Sequence, residues 1–442
     1  MDPLLSTLIL ILLALLGARF SFSSIPVPQG PRLLLRTGVH FLFVGFAHGP
    51  HGLNLLGAEQ VQQLFPLLAL GLGWVGFLFG LQLDRSALSQ FPRSWIWITI
   101  VQGVLTFAIF FGIGWVGLAV FGWADDVGFL LVSGAAATAA VSAPAGVALV
   151  SSNFLVRGNV RTLLFFIASL DGIVGIVALQ LTYAVFHPAG IVMTGERVAV
   201  PWAPAAALFL GLAVGIVFLW LNRPRPHKDA LVLFLLGMAA FSAGAALRLQ
   251  LSPLFVSAVL GIVVANLAPD SQRIYRVLQA WEQPVYLVFL ILAGAFLSFS
   301  TIWVLPLGAA YFLARTAGKM GGTLAATRLL SAGFPTPRRM GEGLVTQGGM
   351  SVALALSAVL SYQGFQSGQA NTETFFTIVV LGVVLSDLAG PLLTTDVLRR
   401  AGEISPHVEA ALAQGDQAGA TTAAIRHTPT GPANLPERSG PE

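Results

Sequence analysis

The sequence predicts an all-α polytopic membrane protein of about thirteen transmembrane helices, built as an inverted repeat with two crossed, broken helices. Three observations predict it. Charged residues make up 10% of the 442-residue chain, against about 25% in an ordinary soluble protein. Apolar runs of roughly 20 residues, the length that spans hydrocarbon as a helix, follow one another along most of the chain. Basic residues fall almost entirely on alternate connections between those runs.

Mean hydropathy is +0.82, and AVILMFWYC make up 56% of the chain. Too few charges remain to coat a soluble surface, which excludes a soluble enzyme or a nucleic-acid binder. There is no Cys, so a disulfide scaffold and a thiolate metal site are excluded. The seven His are scattered and pair with no carboxylate at metal-ligand spacing. Membrane lipid is therefore the expected surrounding, with no cofactor and no nucleic-acid partner.

In order, the spans are expected at about 4–20, 32–48, 61–81, 94–122, 127–150, 160–186, 201–221, 229–248, 250–268, 280–299, 301–330, 340–362 and 373–398. The first has Asp2 before it and Arg19 after it, which reads as a retained helix rather than a signal peptide. The eighth and ninth are parted only by Arg248, Gln250 and Ser252-Pro253. With the N-terminus outside, inside connections and the tail hold nineteen of the 23 Lys and Arg. Outside connections hold Arg197 and Arg248, and Arg315 and Lys319 lie within a span. The expected topology is N-terminus outside and C-terminus cytoplasmic, in a plasma (inner) membrane. Residues 1–400 form the transporter domain. Residues 401–442, rich in Ala, Gly, Pro and Thr, read as a disordered cytoplasmic tail, with no nucleotide-binding regulatory domain.

Thirteen spans divide as six, a linker and six, so that each span of the first half has an inverted mate seven places on. In such repeats the ion site lies where paired helices break at mid-membrane. Span five carries Ser142-Ala143-Pro144-Ala145-Gly146, and its mate, span twelve, carries Gln347-Gly348-Gly349-Met350-Ser351. Pro144 removes a backbone donor, and Gly348 and Gly349 loosen the second helix.

Charges inside the bilayer are functional candidates by default. Asp171 lies near the centre of span six, Asp387 in its mate, span thirteen, and Arg315 and Lys319 on one face of span eleven. The plainer alternative for Arg315 and Lys319 is a pair neutralised by carboxylates for assembly alone. A buried carboxylate near a cation can hold a proton or a metal cation, but not both, which is the core of an exchange reaction. Thr138, Ser142 and carbonyls freed at the first break are candidate oxygen ligands for a hard cation. Glu282 and Glu342 read as interfacial. Gly71, Gly73, Gly76 and Gly80 form a small-residue face for close helix packing.

Several segments resemble the cation:proton antiporter superfamily, the sodium/hydrogen exchanger fold, from about residue 30 to residue 398. Gly45 to Leu53 is similar to an early Gly-Pro-x-Gly-Leu signature, and Phe77 to Asp84 to a Phe-x-x-Gly-Leu-x-x-Asp segment. Gly261 to Asn266, Phe289 to Ala295 and Gln347-Gly348-Gly349 resemble three further landmarks. The resemblance implies an inverted-repeat antiporter fold and a homodimer. Mobile core helices would lie at about 94–186 and 301–398, and scaffold and dimerisation helices at about 4–81 and 201–299. It also implies elevator-like alternating access, with Asp171 as the ion-binding Asp and Lys319, one turn after Arg315, as the neighbouring basic group.

Two departures bear on selectivity. Leu170 stands where the family commonly has Asp or Asn, and Ser142-Ala143 or Thr138-Ala139 where it commonly has Thr-Asp. The expectation is a Na⁺ or K⁺/proton antiporter exchanging one for one, electroneutrally, through Asp171. A sodium-coupled organic-anion symporter of similar fold, with Arg315 and Lys319 facing the anion, is the alternative.

Overall fold

The computed structural model describes residues 29–185, 202–222, 227–362, 369–413 and 421–424. The expected first span, at 4–20, lies outside the described residues. The described residues form helices and no strand. Seven helices or helix pairs among them are long and apolar enough to cross a membrane, or eight if the bent pair spanning 271–294 is included. Of the remaining expected spans, the second and twelfth are interrupted, the ninth is a shorter helix, and the eleventh is a continuous helix of 26 residues.

Helices α1 (Gln29–Thr37) and α2 (Phe41–His48) form the expected second span with a break between them. They are followed by α3 (Phe65–Gln82) and α4 (Arg93–Val120). The fifth span is split into α5 (Asp126–Ala139) and α6 (Pro144–Phe154). Pro144 opens α6, and a residue before Pro is pushed out of the helical region. Ala143 is accordingly extended, at φ −109° and ψ 127°. The sixth span is α7 (Asn159–Leu170) and α8 (Gly172–Val185), with Asp171 at the joint.

Helices α9 (Trp202–Leu221) and α10 (Lys228–Arg248) lead to α11 (Pro253–Leu267). The thin boundary between the eighth and ninth spans is real. The Ser252 hydroxyl accepts the Phe255 N–H at 3.3 Å, and Pro253 occupies the first turn, a normal helix start. Next come α12 (Ser271–Ala280), α13 (Glu282–Gly294) and α14 (Val304–Leu329). The twelfth span is a 3₁₀ turn, Met340–Leu344, then three non-helical residues, then α15 (Gly348–Tyr362). Gly348 has φ +60°, a left-handed value that glycine adopts without steric penalty. The thirteenth span is α16 (Gln369–Arg400).

The loose motifs that carry the family resemblance pair up in space. Helices α2 and α13 cross where Gly45 and Gly294 meet, and a Cβ on either would overlap the other helix's backbone. Helices α3 and α11 cross through Gly76, Gly80 and Gly261 in the same way. Close backbone approach of this kind is how small residues hold membrane helices together. Asn266 fastens the end of the second crossing: its amide donates to the Leu83 carbonyl at 3.0 Å and accepts the Arg85 N–H at 3.0 Å. The two crossings exchange roles under the inverted repeat, since α2 and α11 are mates, as are α3 and α13.

The expected tail needs a correction at its start. Residues 401–413 are ordered, and Pro406–Ala413 is a helix, α17. Glu403, Ile404 and Val408 are buried. The Glu403 carboxylate accepts the N–H groups of Val160 at 2.7 Å and Arg161 at 2.8 Å, capping the first turn of α7. A run without apolar periodicity thus folds because one carboxylate satisfies a helix start far away in sequence. Residues 414–420 and 425–442 lie outside the described residues.

Candidate functional site

The two breaks cross each other. The Ala143 N–H donates to the Thr346 carbonyl at 2.9 Å, and the Thr346 hydroxyl donates back to the Ala143 carbonyl at 2.9 Å. The Ser142 hydroxyl donates to the Leu344 carbonyl at 2.9 Å. A broken helix leaves backbone groups without partners, and in hydrocarbon each must find one. Here each break supplies part of what the other lacks.

Helix α14 supplies the rest. The Arg315 guanidinium donates to the Val141 carbonyl of the first break and to the Val345 carbonyl of the second, both at 2.6 Å. Its Nη2 also reaches the Leu344 and Thr346 carbonyls at 3.3 and 3.4 Å. One turn on, Lys319 Nζ donates to the Ala140 carbonyl at 2.6 Å and to Asp171 Oδ2 at 2.8 Å. Lys319 and Asp171 are both fully buried and form an ion pair. The other Asp171 oxygen, Oδ1, accepts the Ser142 N–H at 2.8 Å.

The second half repeats half of this pattern. Asp387 Oδ1 accepts the N–H groups of Gln347 at 3.0 Å and Gly348 at 3.3 Å, at the start of α15. So each half places a buried carboxylate on the N-terminal end of its own half-helix, where backbone donors and the helix dipole favour negative charge. The halves then diverge. Asp387 has no ion pair among the described contacts, and its Oδ2 has no hydrogen-bond partner although the residue is fully buried. Helix α4, the mate of α14, carries no charge after Arg93, and the places facing α14 are Gln102 and Thr106.

The candidates named from sequence are therefore partly gathered and partly not. Asp171, Lys319 and the Ser142 backbone meet, and Arg315 holds both breaks. Pro144, Gly348 and Gly349 mark the starts of the half-helices. The Ser142 hydroxyl is turned to Leu344 rather than to Asp171. Thr138 is placed elsewhere: its hydroxyl bonds the Tyr311 hydroxyl at 2.9 Å and the Ala135 carbonyl at 2.7 Å. Gln347 joins that second cluster, donating to Tyr311 at 2.7 Å and to the Thr138 carbonyl at 3.0 Å. The freed carbonyls of the first break, expected as ion ligands, are taken by Lys319, Arg315 and Thr346. Leu170 points into an apolar cluster with Leu163, Phe166 and Ile167. Glu342, expected at an interface, is buried and ion-paired with Arg339. Sequence reasoning missed Tyr311 and Tyr286. Their only signal was scarcity, since the chain holds five Tyr.

Broken helices crossing at mid-span, with opposite charges buried at the crossing, define an ion-coupled secondary transporter of the inverted-repeat kind. The particular family follows from the sequence as a whole. The chain belongs to the sodium/hydrogen exchanger family, whose transmembrane region matches residues 5–396. No curated protein sequence matches it. Its fold is similar to that of the sodium proton antiporter MjNhaP1 from Methanocaldococcus jannaschii at pH 8. The TM-score is 0.65 at 16% identity, covering 90% of this chain and 100% of that one. A three-dimensional EM map of the same antiporter matches at TM-score 0.58 and 15% identity, covering 91% and 98%.

Proposed function

We propose that the protein is a monovalent cation/proton antiporter, carrying Na⁺ or K⁺ against H⁺ by alternating access. The observation that carries this is the Asp171–Lys319 pair, wholly buried at the crossing of two broken helices. A carboxylate in that position needs a positive partner at every stage. Lys319 serves when the site is empty, and an arriving cation or proton takes over Oδ2. Asp171 Oδ1 stays oriented by the Ser142 N–H. With one exchanging carboxylate and a lysine that keeps its charge, exchange is one for one and electroneutral.

The two terminal nitrogens of Arg315 and the Lys319 ammonium direct their donors to backbone carbonyls and to Asp171, and Arg315 Nε is buried without a partner. That arrangement gives the organic-anion reading no support. Helices 94–186 and 301–398 form the moving core, and 4–81 and 201–299 the scaffold. The N-terminus is outside, the C-terminus cytoplasmic, and the membrane is the plasma (inner) membrane. Helix α9 leaves Phe209 and Trp220 more than half exposed, a face suited to lipid or to the second copy of a homodimer.

The test is proton flux in proteoliposomes as Na⁺, K⁺ and Li⁺ are added in turn. Wild-type protein responds to at least one, and Asp171→Asn abolishes the response. Full-rate exchange by that variant overturns the assignment. An imposed membrane potential should leave turnover unchanged, and potential-driven flux overturns the stoichiometry.

A further inference from the structure

Three polar contacts join the scaffold segments, 4–81 and 201–299, to the core segment 301–398. His51 follows α2, and its Nε2–H donates to Glu373 Oε2, near the start of α16, at 3.2 Å. Ser298 lies beyond the end of α13, and its N–H donates to the hydroxyl of Thr377, one turn after Glu373, at 2.8 Å. Ser252, at the cap of α11, and Ser357, in the second half of α15, bring their hydroxyls to 3.1 Å.

The three contacts share one end of the bundle. Successive spans alternate in direction, so the ends of α2, α13 and α15 and the starts of α11 and α16 lie on the same side. Arg85, Arg93, Arg157, Arg328 and Arg399 mark the opposite side, which makes the shared end the outer one. At the basic end, by contrast, Asn266 holds Leu83 within the scaffold, and the Trp95 indole donates to the Ala332 carbonyl within the core at 3.0 Å.

The outer contacts are built to hold a fixed direction. The Thr377 hydroxyl donates its proton to the Glu373 carbonyl at 2.8 Å, which leaves its lone pair for the Ser298 N–H. Ser298 needs that acceptor, because a buried backbone donor left alone is costly. The Ser357 hydroxyl also accepts the Tyr183 hydroxyl at 3.3 Å, and the Ser252 hydroxyl accepts the Phe255 N–H. Ser252, Ser298, Ser357 and Thr377 are buried, whereas His51 stands exposed at the rim. Bonds of this kind exchange with water at small net cost. They can part as water enters from the outer side and form again as it leaves.

We infer that these three pairs form an outer clasp, which fastens the core to the scaffold in this structure and closes the Asp171 site to the outside. Glu373 is its central residue, since its carboxylate holds His51 and its carbonyl orients Thr377. Opening to the outside parts all three pairs. The movement of the core rests on the antiporter reading; the clasp adds which contacts must part, and at which end.

The chain has no Cys, so introduced thiols are the only ones in the full-length protein. His51→Cys with Glu373→Cys places a thiol pair at the rim, and Ser252→Cys with Ser357→Cys places one below it. In proteoliposomes, oxidation or a short bifunctional thiol reagent should link each pair. Linked protein should lose its cation-driven proton flux and regain it when an oxidised link is reduced. Failure of either pair to link, or exchange by linked protein at the unlinked rate, overturns the clasp. Thr377→Val removes the acceptor of the Ser298 N–H and keeps a similar shape. It should speed, several-fold, the labelling of a lone thiol at Ser357→Cys by an impermeant maleimide added outside. Unchanged labelling overturns the role of Thr377, and faster labelling from inside than from outside overturns the assignment of ends. Labelling needs no turnover, so it judges the clasp even where exchange that survives Asp171→Asn overturns the proposed transport site.

Discussion

The two halves of the core present the same device in two conditions. Asp171 and Asp387 each cap a half-helix, through Ser142 in one half and through Gln347 and Gly348 in the other. Asp171 is then neutralised by Lys319, whereas Asp387 keeps an oxygen with no partner. Both cations come from α14, and its mate α4 offers none. The comparison teaches that the inverted repeat is kept in the backbone and the capping and is broken in side-chain charge.

The comparison can be broken at its strongest point first. Lys319→Ala strands Asp171 as a buried, uncompensated charge. Loss of one partner of such a pair costs about 3–5 kcal/mol, so thermal unfolding in detergent should shift by several degrees. The double variant Asp171→Leu with Lys319→Met should recover most of that stability and none of the transport. If Lys319→Ala alone melts as wild type does, the pair does not hold the first half together.

Arg315→Lys is next. Lysine keeps the charge but cannot fork between Val141 and Val345, so the variant loses at least one charge-assisted bond, about 1.5–3 kcal/mol. Amide hydrogen exchange should rise at both breaks together. A rise at one break alone would show that the two are not clasped as a unit.

Asp387→Asn and Asp387→Ala sharpen the contrast on the other side. Asn should change stability by less than about 1 kcal/mol, and Ala should cost about 1–2 kcal/mol, because only the second loses the cap. The smallest effect is expected at Glu403. Burial pushes its carboxyl up from the ordinary carboxylate range, against the pull of the Arg161 and Val160 amides. A raised value means that ionisation opposes folding, so this penalty is absent in acid and grows as pH rises through the shifted range. Glu403→Gln keeps an acceptor and should gain stability relative to wild type as pH rises, by under about 1 kcal/mol, in melts run at several pH values.

Much of this was legible in the sequence because hydrocarbon imposes simple rules. Span ends follow from where charges and Pro fall, as Ser252-Pro253 and Pro144 show. Asp171 and Lys319 stood out because a charge in mid-span is rarely idle. What was hidden depended on where side chains point across the crossing. Thr138 sits one turn before the break, close in sequence to Ser142, yet its hydroxyl turns to Tyr311. The carbonyl targets of Arg315 lie 174 and 30 residues away, and no local pattern marks them. Glu403 was unreadable for the same reason, since its partners Val160 and Arg161 are backbone groups more than 240 residues earlier.

The reach of α14 also bears on how the chain is made. Everything that neutralises Asp171 and satisfies the Ala140 and Val141 carbonyls arrives from residues 315 and 319. A ribosome delivering this chain inserts the fifth and sixth spans long before α14 exists. Until then the Asp171 carboxylate has the Ser142 N–H but no counter-charge, and the Ala140 and Val141 carbonyls lack the donors that α14 brings. The first half must therefore wait in the membrane in a provisional form, held by water, by the insertion machinery or by incomplete entry. Synthesis of α14 is the moment at which that half becomes able to settle.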